Sequence, residues 1–142
     1  METREKRKVE NIALLKRFYD EVVNGGKIAE IDNIWAPDMV WQMDGTVISG
    51  REAYKEMAQA SVGGSFTEMH LDVLDIFSAN DKVVVRFTNS GLNTGKFNGM
   101  GPSGKRAKWN GIGIYRIENG MIAEAWFNED FLDMYQQLGF IK

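Results

Sequence analysis

Cysteine does not occur anywhere in the 142 residues. Disulfides, thiol nucleophiles and thiolate metal sites are thereby excluded, and nothing points to an oxidising compartment. Histidine occurs once, at His70. A metal centre needs several convergent ligands, so this lone imidazole is weak ground for one and no metal is expected. Basic residues are not in excess: the formal charge is −3 and the pI about 5.2. Nucleic acid is not an expected partner, because phosphate binding needs a basic face. No apolar run approaches the length of a membrane span. The first eight residues, Met1 to Lys8, are charged and lack the apolar stretch of a signal peptide, so a soluble, cytoplasmic protein without a membrane partner is expected.

What is present is an ordinary globular mixture, 44% hydrophobic and 26% charged. A chain of this length buries roughly 70% of its unfolded surface. One domain spanning residues 1–142 is expected, since no linker, repeat or low-complexity tract divides it.

Helical spacing dominates the first part. Val9, Ile12, Leu15, Phe18, Tyr19 and Val22 predict a helix over 9–24, stopped by Asn24-Gly25-Gly26. Ile28, Ile31, Ile34 and Trp35 predict a short second helix ended by Pro37. Met39 to Met43 alternates as a strand does. Ser49-Gly50-Arg51-Glu52 has capping-box spacing and opens a third helix, broken at 62–65. From there the pattern becomes extended. Strands are predicted over 67–77, 82–90, 107–117 and 121–129, the last two joined at Glu118-Asn119-Gly120, a strong hairpin signal. A last short helix runs from near Asp130 to Gly139. Helices followed by long antiparallel strands define the α+β class.

The long loop 91–106 contains Gly99-Met100-Gly101-Pro102-Ser103-Gly104-Lys105, which matches the core of a phosphate-binding loop. The next residue should be Ser or Thr but is Arg106. Such a loop must also lead from a strand into a helix, so that amides face the anion. This one joins two strands, and nucleotide binding is rejected.

Strand alternation isolates one informative face. If the turn at 118–120 is bulged, Gly113 stands opposite Ala125, and Gly111, Gly113, Tyr115, Ala123, Ala125, Phe127 and Glu129 share a side. Its Gly and Ala residues leave volume, either for a ligand or for large side chains from other elements. Glu129 is the carboxylate nearest Phe127 on that side. Trp41, Trp109 and Trp126 add aromatic surface suited equally to a pocket, a core or a dimer face. Asp130 sits where an N-cap is expected, with Asp133 three residues on. His70 lies on an alternating strand, Met69 to Val73, as a possible pocket base or a half-exposed strand residue.

The motifs Gly101-Pro102-Ser103-Gly104-Lys105, Gly111 to Arg116, Glu118-Asn119-Gly120, Ile122 to Trp126, Asp130 and Gln136 to Gly139 resemble the SnoaL-like polyketide cyclase family. Phe18-Tyr19, Ala36-Pro37-Asp38 and Gly50-Arg51-Glu52 fit the same pattern upstream. The resemblance implies a cone-shaped fold of the nuclear-transport-factor-2-like class. In that fold three N-terminal helices lie against a curved, mostly antiparallel sheet around a deep pocket, usually in a homodimer. It implies cofactor-independent acid–base chemistry, such as intramolecular aldol ring closure, on a small apolar or carbonyl-containing ligand. Candidate catalytic residues are then Tyr19, where related enzymes place a hydrogen-bonding Tyr, with His70, Glu129 and Asp130. Candidate pocket residues are Trp41, Gln42, Trp109, Gly113, Tyr115, Ala125 and Phe127. The family's His and Asp fall on Gly113 and Phe127, neither of which transfers a proton. Ketosteroid isomerases of the same fold class place a carboxylate on the first strand, near Gln42, with Asp44 two residues on. Two readings follow: a cyclase- or isomerase-like enzyme, or a dimeric ligand-binding protein that has lost the pair.

Overall fold

The computed structural model describes residues 3–61 and 64–142; Val62 and Gly63, where the third helix was expected to break, lie outside the described residues. Helix α1 spans Arg4–Arg17. It begins before the expected position because Thr3 caps it, its hydroxyl accepting from the Lys6 amide at 3.0 Å. Apolar spacing reports only the packed part of a helix, whereas a cap needs no burial. The helix continues as a π-helical segment, Phe18–Val23, closed by the Asn24 amide donating to the Tyr19 carbonyl at 2.8 Å. The wider turn lets Phe18, Tyr19 and Val22 all be buried.

A single 3₁₀ turn, Ile28–Glu30, leads into α2, Ile31–Ile34. The second helix ends sooner than Pro37 suggested, because Trp35 already opens strand β1, Trp35–Met43. Pro37 is accommodated where the β1 ladder is irregular, between Trp35 and Val40. Strand β2, Thr46–Ser49, is additional to the expected elements. It returns through Asp44-Gly45, both at positive φ (46° and 84°), a two-residue hairpin turn. Helix α3 spans Arg51–Ser61. Gly50, not Ser49, immediately precedes it, since Ser49 is paired with Val40 in the sheet.

Strands β3 (Phe66–Ala79), β4 (Lys82–Asn93), β5 (Arg106–Glu118) and β6 (Met121–Glu129) follow, then α4 (Phe131–Leu138). The six strands form one curved sheet in the order β2-β1-β6-β5-β4-β3. Only β1 and β6 run parallel. Helices α1–α3 cover the inner face, while α4 packs on β5. The expected α+β cone is therefore the observed fold.

The β5–β6 register differs from the expected one. Asn119-Gly120 forms a tight two-residue turn with both residues left-handed (φ 52° and 75°), and Glu118 pairs with Met121. The extra residue falls inside β6, between the pairs Ile117↔Ile122 and Arg116↔Glu124. Gly113 consequently stands opposite Phe127, and Tyr115 opposite Ala125. Beyond the bulge, odd-numbered residues of both strands still share the inner face, because the bulge in β6 displaces the register by one more residue than a plain hairpin would; on the turn side the inner residue of β6 is Ile122, opposite Ile117.

The volume left by these glycines is occupied. A Cβ on Gly113 would lie 2.8 Å from the Phe127 ring. One on Gly111 would lie 2.5 Å from the Phe87 ring and 2.8 Å from the Glu129 side chain. Phe87 is 1% exposed and cannot retreat. Gly111→Ala is expected to destabilise the fold by about 1–3 kcal/mol through overpacking, measured as a lowered urea midpoint at unchanged slope.

Candidate functional site

Inner-face positions of β4 read Val83, Val85, Phe87 and Asn89. Asn89 is the polar member of that row and stands between Leu71 of β3 and Trp109 of β5. Its Oδ1 accepts from the Ser90 amide at 3.0 Å. This leaves the Asn89 amide nitrogen to donate towards the nearby Glu129 carboxylate, whose charged form it favours. Trp109 Nε1 donates to Glu129 Oε1 at 2.9 Å from the other side. Burial pushes the Glu129 carboxyl above its ordinary value, and the Trp109 hydrogen bond and the Asn89 side chain only partly oppose that.

Behind Glu129 lies an aromatic wall. The Tyr19 and Tyr115 hydroxyls hydrogen-bond each other across the helix–sheet interface. Phe18, Trp35 and Phe127 pack edgewise around Tyr115, with centroids 5.4 to 6.3 Å away. Desolvation raises both phenols above the ordinary tyrosine value, and the nearby Glu129 charge adds to it. Both hydroxyls therefore stay protonated at neutral pH.

A cavity of about 160 Å³ opens beside this wall, between the π-helical segment, α3 and strands β3 and β4. Val22, Ile28, Met57 and Leu71 make it mostly apolar, with Tyr54 and Asn89 inside and His70 at the rim. Asn24 secures the helical side: its Nδ2 donates to the Leu71 carbonyl at 2.9 Å and its Oδ1 accepts from the Leu71 amide at 2.8 Å. A larger groove of about 610 Å³ lies along α1, between Arg7, Asp81 and Asn119. It is open and mixed in charge. The 160 Å³ cavity is lined by Asn89, and Glu129 lies behind that side chain rather than in the lining.

The predicted residues distribute unevenly over this geometry. Tyr19, Tyr115, Ala125, Gly113 and Trp109 are buried on the inner face. Trp41 and Phe127 adjoin them, ring to ring at 5.7 Å. Glu129 is half-buried at the end of the same face. His70 meets the cavity but is largely exposed, its Nε2 2.9 Å from Asp72 Oδ1. Gln42 is on the other face of the sheet, where its Nε2 donates to Glu124 Oε2 at 2.7 Å. Strand alternation sends it there, because its partner Trp126 is an outer residue. Asp44 lies in the exposed β1–β2 turn. Asp130 is the N-cap of α4, its Oδ1 accepting from the Asp133 amide at 3.0 Å. Asn89, Tyr54 and Asn24 were not anticipated. Asn89 had a sequence signal, a polar residue at the inward parity of an otherwise apolar strand. Among the described residues no three acidic or His side chains converge as metal ligands, and no helix is long and apolar enough to cross a membrane.

Glu129 holds its proton more tightly in the folded state than in the unfolded chain, where its value is near 4.5. Its contribution to stability is therefore greatest below that pH and declines as pH rises towards the folded-state value. Urea midpoints of wild type and Glu129→Gln across this range should diverge, the variant losing the downward slope. Superposable profiles would refute a buried, titrating Glu129.

Comparison with known proteins places this geometry. The family model of the SnoaL-like polyketide cyclases matches residues 13–138. TsrD from Streptomyces laurentii is 26% identical over 99% of this chain and 100% of its own, with a TM-score of 0.85. IdmH from Streptomyces antibioticus, proposed to be a polyketide cyclase, is 25% identical over 91% of this chain and 98% of its own, at 0.78. A SnoaL-like protein from Jannaschia Sp. CCS1 shares the fold at 19% identity over the full length of both chains, at 0.88. No curated protein sequence matches significantly. By its matched length and its cone of helices on a curved sheet, this chain belongs to the SnoaL-like polyketide cyclase family.

Proposed function

We propose that this protein is a cofactor-independent cyclase or isomerase that moves protons on a small carbonyl compound of polyketide type, with Glu129 as its acid–base group. The observation that carries the reading is a carboxylate held by the Trp109 indole at 2.9 Å and separated from an apolar cavity by Asn89, where burial pushes its carboxyl up. A raised carboxyl is a better base at neutral pH than a solvated one, and proton abstraction beside a carbonyl requires such a group. Asn89 borders both cavity and carboxylate, so the reacting carbon approaches along its side chain. A cavity near 150 Å³ accommodates one benzene-sized ring. A larger polyketide would therefore leave its remaining rings over the rim by His70. Tyr19 and Tyr115 act here as the protonated apolar wall that keeps Glu129 desolvated.

One observation favours the second reading, a non-catalytic ligand-binding protein. On the motif resemblance the family's His and Asp would fall on Gly113 and Phe127, and the Phe127 ring fills the space a side chain at 113 would need. A single experiment separates the two. Phenylacetone incubated with the protein in D₂O, followed by proton NMR, should lose its α-proton signals faster than the buffer control. Glu129→Gln should slow that exchange by about 10²-fold or more. Exchange at the buffer rate in wild type would reject the enzyme reading in favour of the binder.

The homodimer is proposed on the outer sheet face. Phe77, Val84, Ile114, Trp126, Gln42 and Val47 form one cross-strand row over all six strands. Phe77, Ile114 and Val47 are exposed. The charges around the row are internally paired, Arg86 with Asp75 and Arg116 with Glu118 and Glu124, so a second copy meets no like-charge repulsion. Sedimentation should show a dimer that Ile114→Lys converts to a monomer; a monomeric wild type would discard this interface.

A further inference from the structure

The polar groups around the cavity can be counted one by one. Asn24 uses both ends of its carboxamide on the Leu71 backbone. Asn89 accepts from the Ser90 amide, and its amide group stands beside the Glu129 carboxylate. His70, at the rim, contacts Asp72. The remaining wall residues named above are apolar. One polar side chain is left. Tyr54 is 6% exposed, lines the cavity, and its hydroxyl has no hydrogen-bond partner among the described residues. Its ring is held by the fully buried Trp35, with centroids 4.5 Å apart and planes at 38°. The Trp35 indole offers only an N–H donor, and that too lacks a partner among the described residues. Nothing beside Tyr54 therefore supplies an acceptor for its proton.

The Tyr54 hydroxyl is not among the fully enclosed unpartnered atoms, so it keeps accessible surface at which a ligand oxygen can accept its proton. A phenol donates more readily than it accepts, because its lone pairs are shared with the ring. Burial pushes the Tyr54 phenol above the ordinary tyrosine value, so it stays a donor at neutral pH.

We infer that Tyr54 is the specificity-determining residue of the cavity: it selects a one-ring ligand segment bearing a hydrogen-bond acceptor, a ketone or enolate oxygen, by donating to that oxygen. The inference rests on the proposed carbonyl chemistry for its substrate class, but not on Glu129 being the base. During proton abstraction the same bond would strengthen as charge gathers on the oxygen, as donors aimed at a developing oxyanion do.

The test is a two-by-two comparison of acetophenone and ethylbenzene, alike in shape but only one with an acceptor, binding to wild type and Tyr54→Phe. Affinities are read from ¹H–¹⁵N NMR titration. Tyr54→Phe should weaken acetophenone by about 2- to 10-fold, the range of one net hydrogen bond, and leave ethylbenzene unweakened. Glu129→Gln should preserve that difference, so loss of α-proton exchange in Glu129→Gln and loss of ketone selectivity in Tyr54→Phe report on separate claims. Equal changes for both probes, an unaffected acetophenone, or saturation by neither would overturn the inference. Should Tyr54→Phe fold poorly, wild type alone decides: the carbonyl stretch of bound acetophenone should lie below its frequency in hexane, and a band at the hexane position would refute the bond.

Discussion

The buried bond between the Tyr19 and Tyr115 hydroxyls joins the helical layer to the sheet. Leaving a buried phenol without a partner costs free energy, and here two phenols from different layers satisfy each other. Their meeting sets how closely the helical segment approaches β5. Trp35, Phe18 and Phe127 then pack edgewise around Tyr115. Burial at the end of the same face removes water from Glu129, and that desolvation is what raises its carboxyl.

Near this fixed point the structure is dense, and away from it there is room. Gly111 and Gly113 are small so that Phe87 and Phe127 can lie against the sheet. The open volume is displaced towards the β3–β4 edge, where the Asn24 clamp on Leu71 holds the helical segment to the edge strand. A ligand there would meet an apolar wall, one phenol and the Asn89 approach to Glu129. This division is consistent with acid–base work on a single carbonyl-bearing ring: the charged group is desolvated and oriented, while the cavity supplies shape. The family relationship accounts for the scaffold, and the chemistry has to be argued from these residues, since a fold hosts many activities.

Much of the architecture was legible in the sequence. The four long strands, the Asn119-Gly120 turn and the α4 cap at Asp130 all follow from local patterns with local causes. The Asp44-Gly45 turn was equally readable, and with it β2. The full extent of α1 was not, because capping by Thr3 and a change to π-helical winding carry no apolar period. The face shared by Gly111, Gly113, Tyr115, Phe127 and Glu129 followed from strand alternation, which survives a register change that keeps parity. The partner of Gly113 did not, since a bulge inside β6 and a bulge in the turn look the same from composition.

The cavity itself belongs to the tertiary structure. Tyr54 on α3, Asn24 at the end of the first helical run and Asn89 on β4 are far apart in the chain, and only the packing of helices on the sheet brings them to one wall. Gln42 was separated from that wall by its strand parity, which depends on the β1–β6 pairing. The sequence by itself determined the fold class, the family and the face on which polar chemistry is possible, because periodicity and turn residues act over a few positions. Which polar groups are satisfied and which are left to a ligand was decided by the tertiary structure alone, because hydrogen-bond satisfaction is a property of contacts between distant elements.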